Sequence, residues 1–192
     1  MYQYQSMNKF DRIDRAILSA LQLDGSLSIA ALSERVGLSS TPCWKRLKRL
    51  EDEGVIERRV AVLNRHKVGL PVTVFVSVRT TQHDDKWLAH FAAAVVALPE
   101  VLEFHRMSGD VDYLLKVVTT DIDGYDRFYK RLINAAQLTG VSSAFSMEQI
   151  KFTTALPLEL GAAVPGQGSE KASAGGANRP SKPPSGSKRL LR

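Results

Sequence analysis

The chain has 192 residues, with 26 Lys and Arg against 20 Asp and Glu and a formal net charge of +6, long enough for one or two small domains with cores of their own. No stretch approaches the roughly eighteen apolar residues of a membrane span, and the opening MYQYQSMNKF has no apolar signal core. The single cysteine, Cys43, excludes an internal disulfide framework and points to the cytoplasm.

Charge is unevenly spread. Residues 1–67 hold 12 basic and 8 acidic side chains, net +4; residues 68–160 hold 8 and 11, net −3; residues 161–192 hold 6 and 1, net +5. A basic head on a mildly acidic middle suits a polyanionic partner for the head.

Three helices are predicted in the head. Asp11 caps the first, with Ile13, Ile17 and Leu21 on one face, and the Asp24-Gly25 step ends it. Ser28 caps the second, whose inward face is Ile29, Leu32 and Val36; Gly37 stops it. The third starts near Ser40 or Thr41, with Pro42 in its first turn, where a missing N–H costs nothing. Cys43, Leu47 and Leu50 then share one apolar stripe, spaced four and three. This placement makes Cys43 a small buried hydrophobe rather than a redox switch. Trp44, Lys45, Lys48 and Arg49 point elsewhere.

A short helix, a glycine turn and a basic helix form a helix-turn-helix with the third element in the recognition position. Glu51, Asp52 and Glu53 repel phosphate, so the opposite end of that helix should meet DNA: Ser39, Ser40, Thr41, Trp44, Lys45 and Lys48, with Arg49 beside them. The alternating run VIERRVAVLN after Gly54 is expected to form a wing hairpin, with Arg58 and Arg59 as backbone or minor-groove contacts. The bland alternative is a three-helix bundle with a charged, solvated face.

The middle of the chain has a different period. PVTVFVSVRT alternates at Val72, Val74, Val76 and Val78, marking a half-buried strand. DDKWLAHFAAAVVALPE places Leu88, Phe91, Val95 and Leu98 on one helix face. VLEFHRM is a second strand, SGDVD a turn and YLLKVVTT a third strand. DIDGYDRFYKRLINAA is a helix with Tyr125, Phe128 and Leu132 inward, and VSSAFSMEQIKFTT a fourth, less regular strand. The order βαββαβ predicts an α+β, ferredoxin-like sandwich with one open sheet face. Phe75 would be exposed on that face, which is expected to pair with a second copy. Twofold pairing also matches a helix-turn-helix to palindromic operators on double-stranded DNA.

The expected organisation is therefore a winged helix-turn-helix domain over residues 8–63, a linker over 64–70, a ferredoxin-like ligand-binding and oligomerisation domain over 71–160 and a disordered basic tail over 161–192. That tail, rich in Gly, Ala, Ser and Pro, reads as a solubilising extension or as a non-specific arm on DNA. A second methionine, Met7, is a candidate start.

The stretches DRIDRAILSALQLDG, LSERVGLSSTPCWKRLKRLEDEGVI, SGDVDYLLKV and FSMEQIKFTT together resemble the Lrp/AsnC feast/famine transcriptional regulators, from about Phe10 to about Glu159. The resemblance implies dimers, often assembled into octamers, and a small amino acid bound between effector domains. TPCWKRLKRLE and SSAFSMEQIKFTTALPLE look most like the branch that responds to cysteine and controls its breakdown, which makes L-cysteine the expected effector. The first few residues and the long tail depart from the family pattern.

The resemblance also places the effector near the turn between the second and third strands: Ser108, Gly109, Asp110, Val111, Asp112 and Tyr113. Either aspartate could take an ammonium. Backbone N–H groups near Gly109 could take a carboxylate, and Tyr113 could wall the pocket. Ser142, Ser143 and Ser146 could complete it from a neighbouring subunit. Without the resemblance, SGDVD is simply a hairpin turn.

Competing functions are a ligand-independent DNA-packaging protein and an enzyme on the same scaffold. Neither a nucleophile–base pair nor a phosphate-cradling glycine loop is evident. A metal site using Asp110 and Asp112 is not expected, since His105 is the one histidine nearby at ligand spacing and His66, His83 and His90 are scattered; no cofactor is expected either.

Overall fold

The computed structural model describes residues 10–161. The expected basic tail and the alternative start at Met7 lie outside the described residues.

The head is three helices, α1 (Arg12–Leu23), α2 (Ile29–Val36) and α3 (Ser40–Asp52). Asp11 caps α1 in a reciprocal box with Asp14: each carboxylate accepts the other residue's backbone N–H, at 2.8 and 3.3 Å. Ser28 caps α2, its hydroxyl accepting from the Ala31 N–H at 3.2 Å. Gly37 ends α2 at φ 70°, a left-handed conformation that glycine adopts without a Cβ clash. Ile17, Leu32, Cys43, Leu47 and Leu50 form the core where the helices meet. The stripe expected on α3 is the buried one.

The wing segment does not close into the expected hairpin among the described residues. Residues 57–64 make no sheet ladder among the described residues. At the end of this segment the Asn64 side-chain carbonyl accepts from the His66 and Lys67 N–H groups, at 3.1 and 3.2 Å, and the chain turns. Val60, Val62 and Leu63 are left exposed.

The second domain has the order β1 (Val72–Arg79), α4 (Asp85–Val96), β2 (Val101–Arg106), β3 (Tyr113–Thr119), α5 (Ile122–Ala135) and β4 (Gly140–Phe145). The sheet order is β2-β3-β1-β4, antiparallel throughout. Val74, Val76 and Val78 face the helices, packed with Leu115, Val117, Phe91, Phe128 and Leu132. Phe75 lies on the opposite face and is exposed, as the alternation requires. The expected fourth strand stops at Phe145, well short of the run assigned to it.

Candidate functional site

Ser39 occupies the N-cap of α3 without a side-chain cap bond, and Ser40 and Thr41 open the helix; all three are exposed. The first-turn N–H groups therefore face solvent with hydroxyls beside them. Trp44 is 52% exposed. Lys45 is exposed beside it and has no acid partner among the described residues. Lys48 donates to Asp52 at 2.7 Å, and this bond raises its pKa.

Arg49 stands differently from its expected role. Its guanidinium lies 2.7 Å from Asp14, a carboxylate only 1% exposed. Arg46 reaches the same carboxylate at 2.9 Å and Asp11 at 2.6 Å. Two arginines of α3 are thus clamped onto the start of α1. A buried carboxylate needs this pairing, because alone its desolvation would outweigh its attraction to either partner. The Asp14 N–H, followed by Arg46, holds the Asp11 carboxyl below its ordinary value of 3.8. The spacing of the basic residues showed a charged helix; it did not show which cations were already engaged. Of the expected wing arginines, Arg59 is bound to Glu51 at 2.7 Å, while Arg58 is exposed and has no acid partner among the described residues.

Cys43 is fully buried, and burial pushes its thiol pKa up. A protonated, inaccessible thiol is a poor redox sensor.

The β2–β3 turn divides its two aspartates. Asp112 is a structural pin: its carboxylate accepts the Thr80 N–H at 2.8 Å, its own N–H donates to Val78 at 3.0 Å, and its carbonyl accepts the Met107 N–H at 2.8 Å. Asp110 offers its carbonyl to Arg79 Nε at 2.7 Å, and its carboxylate has no partner among the described residues. Gly109 adopts φ 125°, a conformation L side chains rarely enter. Ser108 is exposed in the same turn.

Tyr113 does not wall this turn. It is 3% exposed and faces the helices, its ring centroid 5.4 Å from Phe91 and 5.5 Å from Phe104. Ser143 is also on the inner face, with its hydroxyl bonded to Tyr125. Ser146 is taken up by backbone: its N–H donates to Thr73 at 2.9 Å and its hydroxyl to Glu148 at 3.3 Å. Ser142 remains available. It pairs with Ser77 across β1 and β4 and lines a concavity of about 310 Å³ with Arg79, Val111, Gly140 and Val141.

Arg79 is the residue the sequence reading missed. Nε is tethered to Asp110, and the rest of the guanidinium has no partner among the described residues. Its signal was present in the alternation: Arg79 has the parity of Phe75 and Ser77, on the open face. The site therefore offers a guanidinium fork, serine hydroxyls and a free carboxylate in the adjacent turn. That set suits a small molecule carrying a carboxylate.

Residues 10–57 match the family described as winged helix-turn-helix DNA-binding, and residues 73–156 the family described as Lrp/AsnC ligand binding domain. The chain is 51% identical over 150 residues to the DNA-binding transcriptional activator DecR of Escherichia coli, covering 78% of this chain and 99% of that protein. It is 47% identical to the glutamate uptake regulatory protein of Zymomonas mobilis, covering 79% and 93%. A crystal structure of an AsnC family transcriptional regulator from Agrobacterium tumefaciens superimposes with a TM-score of 0.77 at 57% identity, over 79% of this chain and 99% of that one. A Neisseria meningitidis transcriptional regulator crystallised as an L-Met complex gives 0.76 at 37% identity, over 79% and 99%. These relatives are transcriptional regulators, not enzymes. The chain thus belongs to the Lrp/AsnC family: it is a sequence-specific DNA-binding transcriptional regulator, with a winged helix-turn-helix head and an amino-acid ligand-binding domain.

Proposed function

We propose that this regulator controls amino-acid metabolism genes in the cytoplasm, binding palindromic operators as a twofold homo-oligomer, a dimer or an octamer built of dimers, under the control of a small amino acid. The observation that carries the effector reading is the concavity over β1 and β4, where Arg79 presents its unpaired guanidinium nitrogens beside Ser77 and Ser142. It lies inside the segment that matches the amino-acid-binding family. In this reading Arg79 takes the effector carboxylate, and Asp110, with Gly109 and Ser108, faces the ammonium; Asp112 holds the turn in shape.

L-cysteine is the effector to try first, on the resemblance of the α3 and β4 segments to the cysteine-responsive branch. Relatives at 47% and 39% identity are named for glutamate uptake and leucine response, so a panel is needed rather than one ligand. Lys45, Lys48, Trp44, Thr41, Ser40 and Ser39 are assigned to DNA, with Arg58 on the backbone; Arg49 and Arg59 act mainly by holding α3 and the following segment in place. A twofold partner is supported by the exposed apolar residues Val60, Val62 and Phe75, on a run and a sheet face that none of the described residues covers.

Thermal unfolding against the standard amino acids at millimolar concentration tests the effector site. An effector at about a hundred times its dissociation constant adds about 2.7 kcal/mol, a shift of several degrees. Arg79→Ala is expected to lose that shift. Asp112→Asn is expected to lower the starting midpoint and keep the shift. A shift that survives Arg79→Ala in full places the pocket elsewhere.

A further inference from the structure

Strand β4 is one wall of the concavity, and the chain beyond it does not stay with the sheet. The Ser146 N–H adds one more bond to the β1 edge, and then the chain runs outward with Met147 and Ile150 almost fully exposed. Ten residues after Ser146 it is caught by the other domain. Gln22, on α1, holds Leu156 at both backbone groups: Nε2 donates to the Leu156 carbonyl at 3.2 Å, and Oε1 accepts the Leu156 N–H at 2.6 Å. Two residues further, Leu158 packs on the core of the head, whose buried members include Ile17 and Leu50. The primary amide of glutamine matches both polar groups of one extended residue, which fixes register without reading the side chain. The partners stand 134 positions apart in sequence.

We propose that residues 146–158 are a strap by which the ligand domain acts on the DNA-binding head, with Gln22 and Leu158 as its anchors. The proposal rests on the amino-acid-binding reading above, and it supplies the physical route from that site to DNA. Its first end is the strand carrying Gly140, Val141 and Ser142, which would move if a ligand closed the concavity. Its far end grips α1. From α1 the path continues through Asp14, buried under Arg46 and Arg49, to the recognition helix α3. Between the anchors the strap is exposed and has few bonds, so it can shift at little cost. A contiguous element with two anchored ends can carry coupling of this kind, and the strap has both.

Hydrogen exchange on the full chain tests it, with L-cysteine or, if that gives no thermal shift, the standard amino acid giving the largest. Wild type is compared with Gln22→Leu, which removes both amide bonds and leaves the head core intact, and with Leu158→Ala. In wild type the amino acid is expected to slow exchange in β4 and, by roughly fivefold or more, in α1. In both variants the β4 response should persist while the α1 response falls below about twofold. Unchanged protection of α2 without ligand shows that the head is still folded. An α1 response that survives in both variants overturns the strap and leaves the amino-acid site standing. No response in wild-type β4 to any amino acid overturns the amino-acid reading, and the strap with it.

Discussion

Asp14 is the residue on which the head's geometry turns. Its carboxylate accepts the Asp11 N–H and two guanidinium groups while buried, so removing its charge takes the acid from Arg49 and leaves Arg46 with Asp11 alone. Charge-assisted bonds of this kind are worth about 1.5–3 kcal/mol. Asp14→Asn is therefore expected to lower stability by about that amount, read as a lower urea midpoint at an unchanged slope; an unchanged midpoint would show that the clamp contributes nothing. Some of this scale was legible in the sequence. The four-and-three spacing of Cys43, Leu47 and Leu50 located the buried stripe, because periodicity reports a residue's neighbours along its own helix. The Asp14 pairing was not legible, because its partners lie more than 30 positions away. Tyr113 was legible but misassigned: it shares parity with Leu115 and Val117, and that placed it inside, whatever its closeness to the turn.

Among the elements, α3 carries the DNA reading. Among the described residues Lys45 has no acid partner, whereas Lys48, Arg46 and Arg49 already hold acids. A cation with no partner to lose gives its full charge to phosphate. On a random-sequence duplex, Lys45→Ala is expected to weaken binding and reduce the slope of log affinity against log salt by about 0.9. Lys130→Ala, in a pair with Asp126 on α5, should leave both unchanged. Equal effects at the two positions would remove α3 as the DNA-facing element. The helices were readable because their caps are local: Asp11, Ser28 and Gly37 sit where the sequence put them. The wing and the end of β4 were not. Alternation marks residues that suit a strand, but a strand also needs a partner, and residues 57–64 have none among the described residues. In the same way the run after Phe145 has strand-like composition, yet Gln22 and the head core claim its far end.

For the whole molecule, two domains are joined twice, by the linker before β1 and by the strap after β4. The first join was visible as a change of period near Pro71. The second was invisible, because nothing in the composition of TALPLEL says that Leu158 belongs to the core of the head. Twofold assembly belongs to this scale as well. The unpaired apolar run at Val60 and Val62 and the open face at Phe75 fit a second copy, and that copy would present two recognition helices together.

The central proposal is that the heads of two copies together read a defined sequence under amino-acid control. Selection of binding sites from a random duplex library, by the purified full chain with and without L-cysteine, tests it most directly. The expected result is a palindromic consensus whose half-sites lie about one helical turn apart, about 10 base pairs, or a multiple of it, with recovery that changes when the amino acid is present. Recovery of duplexes with no consensus, at the same yield with and without the amino acid, would contradict the account and leave a non-specific DNA binder.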